Sequence, residues 1–394
     1  MHFQFRLCTL FFPLLSAAFV LASAQDDALS RLKKDIAALA GPEMEGRGNG
    51  QPGLEKAIDY VVDTYVQLGL KPAIQRFPYR LANNSNNSPD GHFSNVIVAV
   101  NGSDPELRSQ HIVVGAHLDH LGIRPSTGGP PSIYFGADDN ASGSAAVMEL
   151  VRYFHKNPPP RTILFIHFTG EEWGLHGSKY WVANPTVDIK SVLFMANLDM
   201  IGRLGRDEKA SLTFTAMGMG PDAIAHAKEM APEGIVVEAD RGTSIFSAAS
   251  DHAPFVAAGI PTFFMFTGIH PDYHRTSDTI DKINWDGLSA ITLYAQRLIE
   301  EYASAADVPS FQPRANLGMA SEPGDKARVW SIRPGGSADS AGLARGDVLT
   351  FIDGHQVNSA TDLVRTLDLF NRGDSVRLKW ERGGRQMEAQ VVLQ

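Results

Sequence analysis

Apolar positions run through most of the chain in two alternating rhythms. Short apolar runs bounded by turn residues cover 95–100, 111–115, 162–168, 192–196, 211–215 and 261–266. Between several of them the period switches to that of a helix, over 142–154 and 221–230. Apolar strands alternating with helices predict an α/β fold, a mostly parallel mixed sheet flanked by helices. Two helices precede it, at 29–39 and 53–68. In the second, Ile58, Val61, Val62, Tyr65 and Leu68 repeat at helical spacing, and Gly69 is placed to end it. A polar, turn-rich stretch at 83–91 reads as an exposed loop. The last helix of this region is expected to start at Asp286, acting as an N-cap, and to end near Tyr302.

Beyond residue 303 the pattern changes. Residues 304–313 are small, polar and proline-containing, which suits a linker. From 314 to 394 the pattern is a small β-rich domain: strands at 327–332, 375–381 and 386–393, a Pro334-Gly335-Gly336 turn and one helix at 359–367. A length of 394 residues agrees with two domains, and 43% hydrophobic content suffices for a sizeable core.

The formal charge of −9, with no block of Lys and Arg, argues against a nucleic-acid partner and against anionic membrane surfaces. At the start of the chain Arg6 precedes an apolar run, and Ala22-Ser23-Ala24 reads as a small-residue cleavage site. This predicts a signal peptide over 1–24, export to the periplasm or the extracellular space, and no membrane anchor after cleavage. The single cysteine, Cys8, lies in that segment. A mature chain over 25–394 therefore has neither disulfide nor thiolate, and any metal must sit on His, Asp and Glu.

Such residues stand just beyond the apolar runs. His117 and Asp119 follow the run at 111–115, Asp138 and Asp139 come in the next turn, Glu171 and Glu172 follow 162–168, Asp199 follows 192–196, and His274 follows 261–266. Each alone has a structural reading: Asp139 as a helix cap, His117 as a core histidine, the Glu171-Glu172 pair as a solvated turn. Their recurrence at strand ends in chain order points instead to one site, because ligands of open α/β sheets bind beyond the carboxyl ends of the strands. Converging carboxylates call for a cation, and a nitrogen and oxygen donor set without sulfur suits zinc, with manganese or cobalt as substitutes. The nearby His120, His176, His252 and His270 read as packing or substrate contacts, and Asp251 as a helix cap. The Gly- and Pro-rich loop at 122–136 lies between two of these motifs and is placed to border a cleft.

The series His117-x-Asp119, Gly-Ala-Asp138-Asp139-Asn-Ala-Ser-Gly, Glu171-Glu172, Asn-Leu-Asp199 and Tyr273-His274 resembles the secreted bacterial two-zinc aminopeptidases. That family has glutamate carboxypeptidase and glutaminyl cyclases among its relatives, and the resemblance covers about 30–303. Glu43-Met44-Glu45-Gly46-Arg47-Gly48 resembles an N-terminal element of its members. The resemblance implies two zinc ions. Asp139 would bridge them, His117 and Asp199 would complete one position, and Glu172 and His274 the other. It further implies Glu171 as general base, Asp119 as hydrogen-bond partner of His117, and Tyr273 as oxyanion donor, a role Tyr134 could also fill. The Ala341-Gly342-Leu343-Ala344-Arg345-Gly346-Asp347 segment resembles a bacterial PDZ domain. There Leu317, Gly318 and Met319 match the loop that captures a peptide's terminal carboxylate.

The expected activity is removal of N-terminal residues from peptide substrates. A carboxypeptidase or other amidohydrolase remains the rival on the same site, since Arg203, Arg206 and Arg241 lie near the motifs and a substrate carboxylate needs arginine. A non-catalytic peptide-binding scaffold is the alternative of another kind, and the complete ligand set with Glu171 argues against it.

Overall fold

The computed structural model describes residues 27–79, 91–126, 129–205, 211–241, 249–306, 308, 310–322 and 324–394. The expected signal peptide, Arg206 and most of the loop at 83–91 lie outside them.

Eight strands form the main sheet: β1 (Ala73–Tyr79), β2 (Gly91–Val100), β3 (His111–His117), β6 (Thr162–Phe168), β7 (Val192–Leu198), β8 (Ser211–Met217), β9 (Val236–Asp240) and β10 (Thr262–Phe266). Their order is β1-β2-β6-β3-β7-β10-β8-β9. The four central neighbours β6, β3, β7 and β10 run parallel, β9 is parallel to β8, and the remaining pairings are antiparallel. β6 and β10 are buried along their whole length, as strands covered on both faces must be. Alternate residues feed two cores. Ile112, Val114 and Ala116 face α1 (27–39), α2 (Pro52–Gln67), α3 (Gly143–Lys156) and α7 (Trp285–Ser304), while Val113 faces α4 (His176–Ala183) and α6 (Ala253–Ala257). α5 (Pro221–Glu229) packs beside β8 and β9. A two-stranded hairpin, β4 (Gly122–Ser126) with β5 (Gly129–Tyr134), occupies the loop at 122–136.

Local sequence explains the ends of these elements. α2 has Pro52 in its first turn, where no N–H is needed, and buries Leu54, Ala57, Ile58, Val61 and Tyr65 on one stripe. Gly69 at φ +81° closes it, with Leu70 N–H donating to Tyr65 O at 3.0 Å and Gly69 N–H to Val66 O at 2.9 Å. α7 is capped by Asn284, not by Asp286 as expected: the Asn284 side chain accepts from Gly287 N–H at 3.0 Å, and Asp286 falls inside the first turn.

The second sheet is ordered β11-β12-β13-β15-β16, from β11 (Met319–Ser321), β12 (Ala327–Ile332), β13 (Val348–Ile352), β15 (Ser375–Arg382) and β16 (Arg385–Val392), with β14 (His355–Gln356) paired to β13. With α8 (Ser337–Ser340) and α9 (Ala360–Leu367) it encloses a separate core around Leu349, Leu378 and Trp380. Polar contacts join the two bodies. Arg241, beyond β9, donates to Phe370 O at 2.6 Å, and its backbone N–H reaches the buried Asp368 carboxylate at 3.3 Å. Arg314 pairs with the same carboxylate at 2.6 Å. No helix among the described residues is long and apolar enough to cross a membrane.

Candidate metal centre

Because β6, β3, β7 and β10 are parallel neighbours, their carboxyl ends share one edge. His117 closes β3, Glu171 and Glu172 follow β6, Asp199 follows β7, and the segment after β10 carries Tyr273 and His274. Asp139 arrives on the turn Ala137–Ser142 that leads into α3. The side chains meet. His117 Nε2 lies 3.4 Å from Asp139 Oδ1 and 3.3 Å from Asp199 Oδ1, and His274 Nε2 lies 3.2 Å from Asp139 Oδ2 and 3.1 Å from Glu172 Oε2. Asp139 thus stands between two groups, one oxygen towards each.

Residues far apart in the chain fix these positions. Asp278 Oδ2 accepts the N–H groups of Asp138 and Asp139 at 3.0 and 3.1 Å, and Arg203 clamps Asp278 at 3.2 Å and Asp272 at 3.0 Å. Ser250 Oγ donates to Asp199 Oδ2 at 2.7 Å. Arg47 is completely buried and spends its guanidinium on carbonyls: Leu39 at 2.6 Å, Leu118 at 2.8 Å, Phe135 and Gly136 at 2.9 Å, and Asp139 at 3.4 Å. Burial lowers its pKa to about 10, so it remains a cation at neutral pH.

The Asp119 carboxylate has a different task from the expected one. The Nδ1 partner of His117 is the backbone carbonyl of Asp119 at 3.1 Å, while the carboxylate stands 4.0 Å from that nitrogen. It accepts Asn49 Nδ2 at 2.6 Å and the N–H groups of Glu171 and Glu172 at 3.2 and 3.3 Å. Asp119 therefore shapes the turn that carries both glutamates.

The donors fit a metal. Burial alone would lower the His117 ring, but Asp199, Glu171 and Asp139 outweigh it and hold it well above its ordinary value. With Nδ1–H given to a carbonyl, a proton on Nε2 then stands between two carboxylates, a place that a metal cation can take instead. No Lys or Arg among the described residues lies within ion-pair distance of Glu171, Glu172, Asp139 or Asp199. The groups His117–Asp139–Asp199 and His120–Asp139–Glu172 each bring one donor atom per residue to within 4.8 Å of the others. Burial alone would raise Asp139; the rings of His120, His117 and His274 outweigh it and hold its carboxyl well below the usual range. Burial pushes Glu171 well above its range, against His117, with Asp199, Asp251 and Glu172 adding to the rise.

A cavity of about 280 Å³ opens on this edge. His117, Asp139, Glu171, Asp199 and His274 form its polar floor, and Met200, Phe264, Phe266, Ile269 and Tyr273 its apolar wall. The Tyr273 ring stacks on His274 at 3.8 Å, and burial among carboxylates raises its phenol, which stays a proton donor. Tyr134 does not line the cavity; on β5 it carries the Arg124 guanidinium over its ring.

Sequence reasoning missed part of this arrangement. His120, read as a packing or substrate residue, is buried with Nδ1 2.9 Å from Glu172 Oε1. Its place immediately after the His117-x-Asp119 motif was the only available signal. Asp251 caps no helix; α6 is capped at His252, and Asp251 is fully buried, its pKa raised by burial to about 7. His270 pairs with Asp138 at 3.2 Å, which gives Asp138 a supporting role outside the donor set. In the C-terminal body Leu317 is buried in the core, Gly318 takes φ +67° with its N–H held by Asn316 Oδ1 at 3.0 Å, and Met319 opens β11.

Residues 95–299 match the model of peptidase family M28. The chain belongs to this family. Residues 310–393 match the PDZ domain, which identifies the C-terminal body. The leupeptin-inactivating enzyme 1 of Streptomyces exfoliatus is 30% identical over 253 residues, 62% of this chain and 48% of that protein. The chain spans about half the length of the curated relatives it matches. Among solved structures, the aminopeptidase of Aneurinibacillus sp. strain AM-1 superposes with a TM-score of 0.56 at 18% identity, over 72% of this chain and 96% of that one. A glutaminyl cyclase of Porphyromonas gingivalis superposes with a TM-score of 0.55 at 19% identity, over 70% and 98%. The fold of this chain is thus shared by an aminopeptidase and a glutaminyl cyclase, and the chemistry of the site has to distinguish them.

Proposed function

We propose that the protein is an exported zinc aminopeptidase that removes N-terminal residues with apolar side chains from peptides. One observation carries the choice of substrate end: no Arg or Lys among the described residues lines the cavity. A substrate carboxylate has no basic side chain to pair with there, whereas a free α-amine can donate hydrogen bonds to the carboxylate oxygens of the floor. Of the three arginines that kept a carboxypeptidase open, two are used elsewhere, Arg203 on Asp272 and Asp278 and Arg241 on Asp368 and Phe370, and Arg206 lies outside the described residues. The apolar wall receives the side chain of the residue to be removed.

Two zinc ions are assigned, with His117 and Asp199 at one position, Glu172 and His274 at the other, and Asp139 shared. Bound zinc supplies water activation at neutral pH and polarisation of the scissile carbonyl. Glu171, beside the His117 group, takes the water's proton and hands it to the leaving amine. The Tyr273 phenol donates a hydrogen bond to the developing oxyanion. Asp119 holds the Glu171–Glu172 turn. The division at 25–303, 304–313 and 314–394, and a signal peptide over 1–24, belong to the same reading. The PDZ loop at Leu317, Gly318 and Met319 is proposed to take a C-terminal peptide.

The test is a panel of amino-acid p-nitroanilides beside N-acetylated and carboxypeptidase-type substrates, with zinc and with chelator. Zinc-dependent release from Leu, Met or Phe p-nitroanilide is expected to exceed that from the Asp or Glu derivative at least about 100-fold, an apolar pocket against a buried unpaired charge. Cleavage of the acetylated or carboxypeptidase-type substrates instead would overturn the assignment.

A further inference from the structure

We infer that His120 is a fourth protein ligand of the Glu172–His274 metal position, so that the two positions differ in kind: one closed by four side chains, the other open with three. This rests on the two-zinc reading above.

The geometry is a closed circuit. His120 Nδ1 is 2.9 Å from Glu172 Oε1 and 3.6 Å from Asp139 Oδ2, and His274 Nε2 is 3.1 Å from Glu172 Oε2 and 3.2 Å from the same Asp139 Oδ2. Two imidazoles alternate with two carboxylates around one point. Donor atoms on a tetrahedral zinc with bonds of about 2.0–2.1 Å lie about 3.3–3.4 Å apart. Three of the four distances, 2.9, 3.1 and 3.2 Å, fall short of that value and one, 3.6 Å, exceeds it, and Glu172 meets the two rings through different oxygens, so an ion at this point calls for small side-chain adjustments only.

The ring is built into position. His120 N–H donates to Arg47 O at 3.0 Å, which ties the residue to the buried arginine that also holds the Asp139 turn. Its Cδ2 lies where a side chain at Gly136 would stand: a Cβ there would approach it to 2.5 Å, and Gly136 itself takes φ +60°. Asp139 Oδ2, the atom between the two imidazoles, is buried and accepts no hydrogen bond. A ring that only braced Glu172 needs the 2.9 Å contact but not a place facing Asp139 as well.

The other position is different. His117, Asp139 and Asp199 supply three side chains, and all three line the cavity, whereas neither Glu172 nor His120 does. Structural zinc sites are closed by four protein ligands, and catalytic ones keep a place for water or substrate. The His117 position has the second character and the His120 position the first.

The experiment reads metal content and coordination. The zinc-loaded full chain is dialysed against rising dipicolinate, zinc is counted by mass spectrometry, and the one-zinc form is taken for X-ray absorption. Two separate losses are expected, and the retained ion should carry two imidazole nitrogens. His120→Gln should bring that count to one and weaken retention of the last zinc more than about 100-fold, beyond what loss of a mere outer hydrogen-bond partner costs. One imidazole in the wild-type one-zinc form, or an unchanged count in His120→Gln, overturns the inference and leaves the two-zinc reading standing. A wild-type chain that binds no zinc overturns both. The wild-type spectrum needs no variant to fold.

Discussion

Replacing Glu171 by Gln is expected to lower kcat/KM on aminoacyl p-nitroanilides about 1,000-fold while zinc content stays at its wild-type value. The size follows from general-base catalysis, which contributes about 100- to 10,000-fold. The amide keeps the shape and hydrogen-bonding reach of the carboxylate but cannot accept the water's proton. Glu171 is suited to the role by its surroundings: its backbone N–H is fixed by Asp119 at 3.2 Å, and its carboxyl faces the cavity. It belongs to neither donor cluster that surrounds Asp139. Steady-state kinetics with zinc counted in the same sample is the check. Activity within tenfold of wild type would remove Glu171 from the proton path.

Arg47→Met should be the most destabilising single change outside the sheet core, costing about 4 kcal/mol and lowering Tm by about 10 °C. Methionine fills the volume but leaves the carbonyls of Leu39, Leu118, Phe135, Gly136 and Asp139 without their donor. Buried acceptors without partners cost about 1–3 kcal/mol each, moderated by relaxation of the loops. Calorimetry on the metal-free chain isolates the effect from loss of zinc. A change in Tm below about 3 °C would mean that water replaces the guanidinium.

The convergence of the proposed metal donors was legible because chain order and topology agree. A parallel βαβ arrangement sends each apolar run to the same edge, so residues after runs at 111–115, 162–168, 192–196 and 261–266 had to converge. The edge strands β1 and β9 and the β4–β5 hairpin were not seen. β9 is a five-residue Val-Val-Glu-Ala-Asp segment at the sheet margin, and a short, half-polar run gives little periodicity to read. Asp119 was misassigned because proximity in sequence to His117 says nothing of the turn at 171–172 arriving beside it. His120 escaped for a similar reason: a histidine next to a ligand motif is informative only once the opposing Glu172 and Asp139 are placed. The N-cap of α7 moved from Asp286 to Asn284, a shift of two residues that side-chain chemistry alone does not decide.

The manner in which Asp139 is held bears on when the protein can load metal. Its carbonyl is gripped by Arg47, 92 residues earlier, and its N–H by Asp278, 139 residues later. A ribosome delivers the first of these long before the second. Until the chain has been made beyond residue 278, Asp139, the proposed shared ligand, has only one of these two anchors. The proposed site is thereby anchored only once the chain beyond residue 278 has joined the sheet, before the C-terminal body at 310–393 has been made.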